Sequence, residues 1–346
     1  MGKICRSFSL RHDVAFLGWN KTGSAVTADL GAAKIKLFNY ETANSRATPI
    51  GLFLYLTWLV GQLFKLKVDC VYCVNEDLAF FIGPLKWIFR FKVVCDIFDP
   101  IADRKTGSRF YLLYFLIQRA GRFISDWIVV TDSNRYDIME GCFKGKTSVV
   151  QNYPECSSVA VAPNGVIKES GLFYVAYVGS LSKNRGVRHL AECLERHPWL
   201  RILCAGWLYD DAAKQFVKDG RVQYFGVVGA EESRGIMAES DLVFCVYDPA
   251  VVNNVNASPN KIYDAISVGK KVAINKGIRV ADFVVRNGFG VIYDYADAGS
   301  LSSVICSCKD NLDEYRRKDE KFIDLCAKEY SWESQLNNLY FAIENR

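Results

Sequence analysis

Short runs of apolar and β-branched residues recur through the first half of the chain at intervals typical of buried strands. Each run has the length of a strand, and a stretch of helical character separates it from the next. The runs cover residues 14–18, 68–74, 92–96, 127–131 and 148–151. Such alternation predicts crossover units, in which helices cover both faces of a parallel sheet.

A second series of the same kind covers residues 174–179, 201–205, 222–225, 242–246, 271–274 and 291–293. A polar stretch over residues 152–165, with two prolines and a glycine, separates the two series and favours a hinge. A length of 346 residues also favours two domains. The sequence therefore predicts two α/β domains, residues 1–155 and 156–330, and a terminal segment over residues 331–346 that returns to the first domain.

Two further segments are predicted to be helices. The longest apolar run, residues 50–64, is about five residues short of a bilayer span and contains two glycines, so a buried helix is expected there. Ser331 and Ser334 form a capping signature at the start of the terminal helix.

The composition is that of a globular chain, because half of the residues are hydrophobic and 23% are charged. The net charge is +5, and the basic surplus lies within residues 1–155. Several cations there stand among aromatic residues, as in residues 85–92, which suits a surface that rests on anionic lipid headgroups. A solvated face over a buried stripe is the alternative. No nucleic-acid partner is expected.

The chain has 12 cysteines but no signal peptide at its start, so reduced thiols in a cytoplasm are expected. Cys70 and Cys73 have CxxC spacing, but they lie in a predicted strand and no second CxxC follows. Because the chain has only three histidines as well, no metal site is predicted.

The strongest candidate chemistry lies in residues 256–275. Ser258 is predicted to cap a short helix, with Pro259 in its first position and Gly269 after its last turn. The first turn of such a helix offers unpaired N–H groups and the positive end of the helix dipole. This segment therefore suits a phosphate group.

Asn260 and Lys261 lie in that first turn, and the lysine adds a full positive charge. Asp264 lies about 6 Å further along the helix axis. This separation matches that between a diphosphate and the ribose hydroxyls, for which a carboxylate is a suitable acceptor. An ordinary capped helix with a surface acid is the alternative.

A second cationic segment follows the first strand of the second series. Gly179 ends that strand, and a short polar loop then carries Lys183 and Arg185. A glycine lets a ligand approach the backbone, and an arginine neutralises a diphosphate without a metal. The loop has neither the GxGxxG nor the P-loop pattern, so neither a nicotinamide enzyme nor a Walker-type ATPase is indicated.

Five segments of the second half keep a fixed order and spacing. They are residues 179–186, 201–206, 222–226, 238–244 and 258–270. Together they resemble the successive conserved blocks of the group 1 glycosyltransferases, family 4, while the first half is a looser match. The resemblance implies the GT-B architecture, in which two Rossmann-like, doubly wound parallel-sheet domains face one another across a cleft.

The resemblance also implies a retaining transfer of a sugar from a nucleotide diphosphate sugar to a glycan or polyprenol-linked acceptor in polysaccharide biosynthesis. It implies no cofactor and no protein-bound metal. The implied site residues are grouped by role. They are Arg185, Lys261, Asn260, Pro259, Ser180 and Lys183 for the diphosphate, Asp264 for the ribose, Asn256 for the sugar, Gly226 and Val227 for the base, and Asp99 and Asp96 as catalytic candidates.

The chain departs from the family at several of these positions. Asn256 and Asp264 stand where many relatives have two glutamates, and Ser180 stands where an arginine is frequent. Phe98 replaces a frequent histidine, and residues 11–20 resemble the family's second strand, which leaves few residues for a first one. A catalytically weak, nucleotide-sugar-binding partner subunit is therefore the alternative function. A sugar-nucleotide epimerase would need further acids.

Overall fold

The computed structural model describes residues 1–21, 23, 29–42, 48–105, 107–155, 160–161, 166 and 168–344. The chain divides into two compact units. Unit 1 comprises Met1–Val150 and Leu336–Arg346, and unit 2 comprises Gln151–Gln335. The predicted boundary at residue 155 lies near this division. Residues 156–159 and 162–165 of the predicted hinge lie outside the described residues.

Unit 1 contains two parallel sheets. Their strands are β1 (Ala15–Asn20), β2 (Lys34–Asn39), β3 (Cys70–Val74), β4 (Lys92–Ile97), β5 (Trp127–Val130) and β6 (Thr147–Val149). Strand β1 pairs with β2, and β3 to β6 pair in chain order. The prediction lacked β2, because its alternating Lys34 and Lys36 interrupt the apolar run.

The helices of unit 1 are α1 (Gly2–Ser9), α2 (Pro49–Lys65), α3 (Glu76–Ile82), α4 (Lys86–Phe89), α5 (Ile101–Arg104), α6 (Tyr111–Ile124), α7 (Ser133–Asp137) and α8 (Gly141–Lys144). The helix predicted over residues 50–64 is confirmed as α2, but its predicted burial is wrong. Only Gly51, Leu59 and Leu63 are buried, because the helix packs through one narrow stripe. Within the described ranges, no helix is long and apolar enough to cross a membrane.

Unit 2 contains one parallel sheet. Its strands are β7 (Phe173–Leu181), β8 (Leu200–Leu208), β9 (Val222–Tyr224), β10 (Leu242–Cys245), β11 (Val272–Asn275) and β12 (Gly290–Tyr293). They lie in the order β12-β11-β10-β7-β8-β9. This is the doubly wound order of dinucleotide-binding domains, with β7 as the first strand of the pattern. The predicted parallel α/β architecture is confirmed.

Helices flank the strands of unit 2 along the chain. They are α9 (Val187–Arg196), α10 (Asp211–Phe216), α11 (Ala230–Glu239), α12 (Val252–Val255), α13 (Asn260–Ser267), α14 (Val280–Arg286), α15 (Ala298–Asp310), α16 (Leu312–Arg316) and α17 (Glu320–Glu329). Along β7, residues 174, 176 and 178 join one hydrophobic cluster, and residues 173, 175 and 177 join another. Burial on both faces explains why this strand is continuously apolar.

The terminal helix α18 (Trp332–Glu344) follows Ser331. The Ser334 N–H donates to the Ser331 hydroxyl at 3.3 Å, so the predicted cap is confirmed. From Leu336 onward this helix belongs to unit 1. There the Tyr340 hydroxyl donates to the carbonyl of Ser7 at 2.7 Å.

A buried ion pair joins α3 to α6 in unit 1. The Glu76 side chain is fully buried, and one of its carboxylate oxygens accepts from Arg122 Nη2 at 2.8 Å and from Nε at 3.2 Å. Burial raises the pKa of Glu76, and the guanidinium of Arg122 opposes that shift. The arginine thus offsets the cost of keeping a carboxylate out of water.

Arg122→Leu is expected to lower the free energy of unfolding by about 3–5 kcal/mol, because Glu76 would stay buried without its counter-ion. Arg119 and Glu140, 3.6 Å apart with the arginine half exposed, provide a matched pair. Arg119→Leu should cost less than about 1 kcal/mol. Urea unfolding of both variants measures the difference, and equal losses would contradict the role assigned to burial.

Candidate functional site

The strand order of unit 2 reverses between β7 and β10, which lie side by side. Connections that leave the carboxyl ends of two such strands run in opposite directions and open a crevice, where ligands of doubly wound sheets bind. Gly179 lies near the carboxyl end of β7, and Tyr247 follows the end of β10. The candidate site of unit 2 is therefore built around these two segments.

Arg185 ends a 3-10 turn, Lys183–Arg185, that follows β7. The hydroxyl of Tyr177 donates to the carbonyl of Arg185 at 2.8 Å and so anchors the turn to the buried sheet. The guanidinium carbon lies 3.9 Å from the centroid of the Tyr247 ring, which is a cation–π distance. One guanidinium nitrogen, Nη1, is buried and has no hydrogen-bond partner among the described residues.

Lys261 reaches the same ring from the opposite segment. It is the second residue of α13, and its Nζ lies 5.8 Å from the ring centroids of both Tyr177 and Tyr247. Gly179 has a φ of +105°, and a Cβ placed there would lie 3.9 Å from this Nζ. The ammonium group therefore lies beside the bare backbone at the end of β7.

Arg185 and Lys261 form a cationic pair without a counter-ion. Among the described residues, no carboxylate lies within 4.0 Å of either side chain. Burial lowers the pKa of Lys261, and repulsion from Arg185 acts in the same direction. Two neighbouring cations that the protein does not neutralise favour an anionic ligand.

Lys261 lies in the first turn of α13, although this helix begins one residue later than predicted. Pro259 precedes the helix with a ψ of 122°, and Asn260 is the first helical residue. The prediction that Ser258 caps the helix is wrong, since no side chain caps it; Pro259 is not its first residue. Among the described residues, the N–H groups of Asn260 and Lys261 therefore have no side-chain acceptor. The predicted left-handed Gly269 is confirmed, with a φ of +70°.

Two polar residues lie close to this turn along the chain. Asp264 lies one helical turn after Asn260 and is half-buried. Asn256 follows α12, and its Oδ1 is buried with no hydrogen-bond partner within the described chain. An unpaired buried amide oxygen is costly and is expected to bind a ligand or water. The ribose and sugar roles assigned to the two residues stay predictions.

The remaining predicted diphosphate ligands of the first loop are Ser180 and Lys183. Ser180 is half-buried and still lies within β7, where it pairs with Trp207. Lys183 is exposed, and its backbone N–H donates to Asp210 at 2.8 Å. The diphosphate roles assigned to Ser180 and Lys183 stay predictions.

Gly206 lies in β8 and contacts backbone on both sides of that strand. It has a φ of +130°, and a Cβ there would lie 1.7 Å from the carbonyl oxygen of Gly179, so no other residue fits. Its N–H donates to the carbonyl of Gly226 at 2.7 Å. Gly226 is half-buried and Val227 is exposed beside it, at the same edge of the sheet as Gly179.

Sequence reasoning missed Tyr177, Tyr247 and Asn275. Asn275 is fully buried at the end of β11. Its Oδ1 accepts from the N–H of Tyr247 at 3.0 Å, and its Nδ2 donates to the carbonyl of Tyr247 at 2.9 Å. The amide therefore fixes the backbone that carries the ring approached by both cations. The only available signal was a polar residue that ends an otherwise apolar strand.

In unit 1 the catalytic candidates Asp96 and Asp99 have different surroundings. Asp96 is 2% exposed, and the hydroxyl of Tyr72 donates to one of its carboxylate oxygens at 2.7 Å. The other oxygen has no hydrogen-bond partner among the described residues. Burial raises the pKa of Asp96 to about 7, which the Tyr72 hydrogen bond opposes.

Asp99, by contrast, keeps 48% of its side chain exposed and pairs with Arg135 at 3.2 Å. Asn75 has a left-handed φ of 65°, and its Oδ1 accepts from the N–H groups of Phe98 and Asp99. This bond holds the turn after β4, so that Asp99 is presented at the carboxyl edge of the sheet. The catalytic roles of both acids stay predictions.

Within the parts of the chain that the structure describes, no group of three or more His, Cys, Asp or Glu side chains is placed to hold a metal ion. Cys70 and Cys73 lie in strand β3.

No protein-family model matches the chain, and no curated protein sequence matches it. Solved structures do match it over nearly its whole length. Sucrose-phosphate synthase from Thermosynechococcus elongatus is 12% identical with a TM-score of 0.71, and covers 97% of this chain and 90% of its own. Anabaena HepE in complex with UDP and glucose is 15% identical with a TM-score of 0.72, and covers 97% and 100%.

A glycosyltransferase from Rickettsia africae is 14% identical with a TM-score of 0.69, and covers 100% of this chain and 94% of its own. These neighbours are GT-B glycosyltransferases. The chain therefore has the GT-B fold, with Rossmann-like parallel sheets as predicted.

The raised pKa of Asp96 generates a prediction about stability. Between the ordinary carboxyl pKa of 3.8 and about 7, the folded protein retains a proton that the unfolded chain releases, so stability falls as pH rises through this window. Asp96→Asn removes this titration. Relative to wild type, the Tm of Asp96→Asn should therefore rise from about pH 4 to about pH 8.

The matched control is Asp13→Asn, because the Asp13 side chain is 96% exposed. Its Tm should follow that of wild type at each pH in a differential scanning fluorimetry series. A Tm difference between Asp96→Asn and wild type that stays constant with pH would contradict the protonated state of Asp96.

Proposed function

We propose that the chain transfers a sugar from a nucleotide diphosphate donor whose diphosphate binds between Arg185 and Lys261. The observation that carries this proposal is the convergence of these two cations on the ring of Tyr247 without a counter-ion. The uncapped first turn of α13 adds N–H donors and the positive end of the helix dipole. Structural neighbours solved with UDP and with UDP-glucose support a nucleotide sugar as the ligand.

The rest of the donor extends from the diphosphate in two directions. Asp264, one turn behind Asn260, accepts hydrogen bonds from the ribose hydroxyls. The backbone at Gly226 and Val227 contacts the base, because it lies at the same edge of the sheet. The buried, unpaired Oδ1 of Asn256 accepts a hydrogen bond from the donor sugar.

The proposed chemistry is stabilisation of the departing diphosphate. As the glycosidic bond breaks, negative charge develops on the phosphate oxygen that leaves. Arg185 offers several donors in a planar fork, and Lys261 offers a compact charge beside Gly179. Pre-placed cations supply the charge that a metal ion would otherwise provide, so the proposed reaction is metal-independent and uses no cofactor. In line with family 4, the proposed transfer retains the configuration at the sugar.

The proposed acceptor is a glycan or a polyprenol-linked glycan of a polysaccharide pathway. Asp99 is the acid of unit 1 that an acceptor can reach, because it is half-exposed at the carboxyl edge whereas Asp96 is enclosed. The basic surplus of residues 1–155 supports an acceptor at the cytoplasmic face of a membrane, with unit 1 in peripheral contact with the lipid.

Arg185→Ala and Lys261→Ala are each expected to weaken UDP binding at least about tenfold, because each removes charge-assisted contacts to the diphosphate. Lys218→Ala is the matched control, since this lysine of unit 2 is exposed and lies outside the site. Isothermal titration calorimetry with UDP measures all three. Unchanged affinity in both site variants would overturn the assigned diphosphate site.

Turnover distinguishes a sugar transferase from a partner subunit that only binds nucleotide sugars. A panel of nucleotide sugars, assayed for donor hydrolysis and for transfer, should show activity that Arg185→Ala and Lys261→Ala lose. Tight binding of a nucleoside diphosphate without turnover of any donor would instead favour a nucleotide-sugar-binding partner subunit.

The lowered pKa of Lys261 predicts proton uptake on binding. A bound diphosphate stabilises the ammonium form and raises the pKa of Lys261, so above its pKa in the free protein UDP binding takes up a proton and weakens as pH rises. Titrations at alkaline pH in two buffers of different ionisation enthalpy measure this uptake. Lys261→Arg, which stays charged, should bind UDP without the lysine-linked proton. Identical uptake in Lys261→Arg and wild type would assign the proton to another group.

A further inference from the structure

The amino edge of the main sheet of unit 1 carries a surface that the proposed transfer does not use. Strands β3 to β6 are parallel, so all of them begin at one edge, and the segments that precede them lie there. The amino-edge surface is defined by residues 64–67, 87–92 and 123. It lies at the opposite end of the strands from Asp99.

Four large apolar side chains of the amino-edge surface are exposed to solvent. Phe64 is 73% exposed, Trp87 70%, Ile88 70% and Phe123 80%. Each is far more exposed than a side chain that contributes to a core. Clustered exposure of this kind marks an interaction surface.

Packing contacts join these segments into one surface. The rings of Phe64 and Phe89 meet edge to face at 4.8 Å, which links the end of α2 to α4. The Nζ of Lys86 donates to the carbonyl of Ile124 at 2.7 Å, which links α4 to the end of α6. Phe123, the neighbour of Ile124, is thereby held close to the segment that carries Trp87.

Cations surround these apolar side chains. Lys65, Lys67, Arg90 and Lys92 are all exposed. Asp69 and Asp126 are exposed acids next to these segments, and Lys86 already neutralises Asp126 at 2.7 Å. The amino-edge surface therefore carries a net positive charge together with its apolar side chains.

We propose that the amino-edge surface docks on the anionic surface of a lipid bilayer. Trp87, Ile88 and the two phenylalanines enter the boundary between headgroups and acyl chains, while the lysines and Arg90 contact lipid phosphates. Aromatic and basic side chains interleaved on one surface are characteristic of interfacial membrane binding. The positive charge complements the negative potential of such a membrane. This docking rests on the peripheral lipid contact proposed for unit 1 and assigns residues to it, and it is tested separately from the sugar transfer.

Flotation of the full chain with vesicles tests the proposal without any donor or acceptor. Wild type should bind vesicles of phosphatidylglycerol and phosphatidylcholine, bind phosphatidylcholine vesicles far more weakly, and dissociate as salt is raised. Lys65→Glu/Lys67→Glu should raise the half-saturating lipid concentration at least about tenfold. Trp87→Ala should raise it at least about threefold, because it removes the largest apolar contact.

The matched controls lie in unit 2. Lys218→Glu/Lys328→Glu reverses two exposed charges, and Tyr209→Ala removes an aromatic side chain that is 67% exposed. Both should bind vesicles as wild type does, and thermal melts confirm that every variant is folded. Failure of wild type to bind anionic vesicles, equal binding to neutral vesicles, or a loss in the controls as large as in the amino-edge variants would overturn the proposal. Self-association of wild type through this surface instead of vesicle binding would also overturn it.

Discussion

The candidate site of unit 2 depends on one electrostatic constraint. Two cations approach one ring, and no carboxylate in the described part of the chain lies within 4.0 Å to neutralise them. Arg185 and Lys261 repel one another, and the protein tolerates this because the loop and the helix that carry them are anchored separately. The Tyr177 hydroxyl anchors the loop that carries Arg185, whereas Lys261 belongs to helix α13. The rest of the fold thus offsets the repulsion between the two cations. Such local destabilisation is common at sites that bind a ligand.

Much of the architecture follows from periodicity alone. Strands β3 to β12 follow apolar runs that stand out from their neighbours, because parallel strands covered on both faces contain few polar residues. Strand β2 does not follow this rule, because its residues are exposed or half-buried and its lysines interrupt the apolar pattern. For helix α2 the prediction of burial was wrong, because an apolar run does not indicate which of its faces packs against the core.

The candidate site was predictable only in part, for a related reason. Arg185 and Lys261 are conspicuous because cations directly follow a strand or open a helix. Tyr177, Tyr247 and Asn275 look like core residues in the sequence, and only the strand order brings them beside the cations. Likewise Asp96 and Asp99 differ because Asp96 lies within the buried strand β4, whereas Asp99 follows the strand in the turn that Asn75 holds.

The hydrogen bonds that Asn275 makes limit which residues can replace it. Its amide oxygen accepts from the N–H of Tyr247, and its amide nitrogen donates to the carbonyl oxygens of Tyr247 and Lys276. No side chain of similar size reproduces this set of hydrogen bonds. Aspartate lacks the donor, and leucine lacks both groups. Few residue types should therefore occur at position 275 in related proteins, although the side chain is buried. Such a restriction would reflect the hydrogen bonds that the backbone needs, and not contact with substrate.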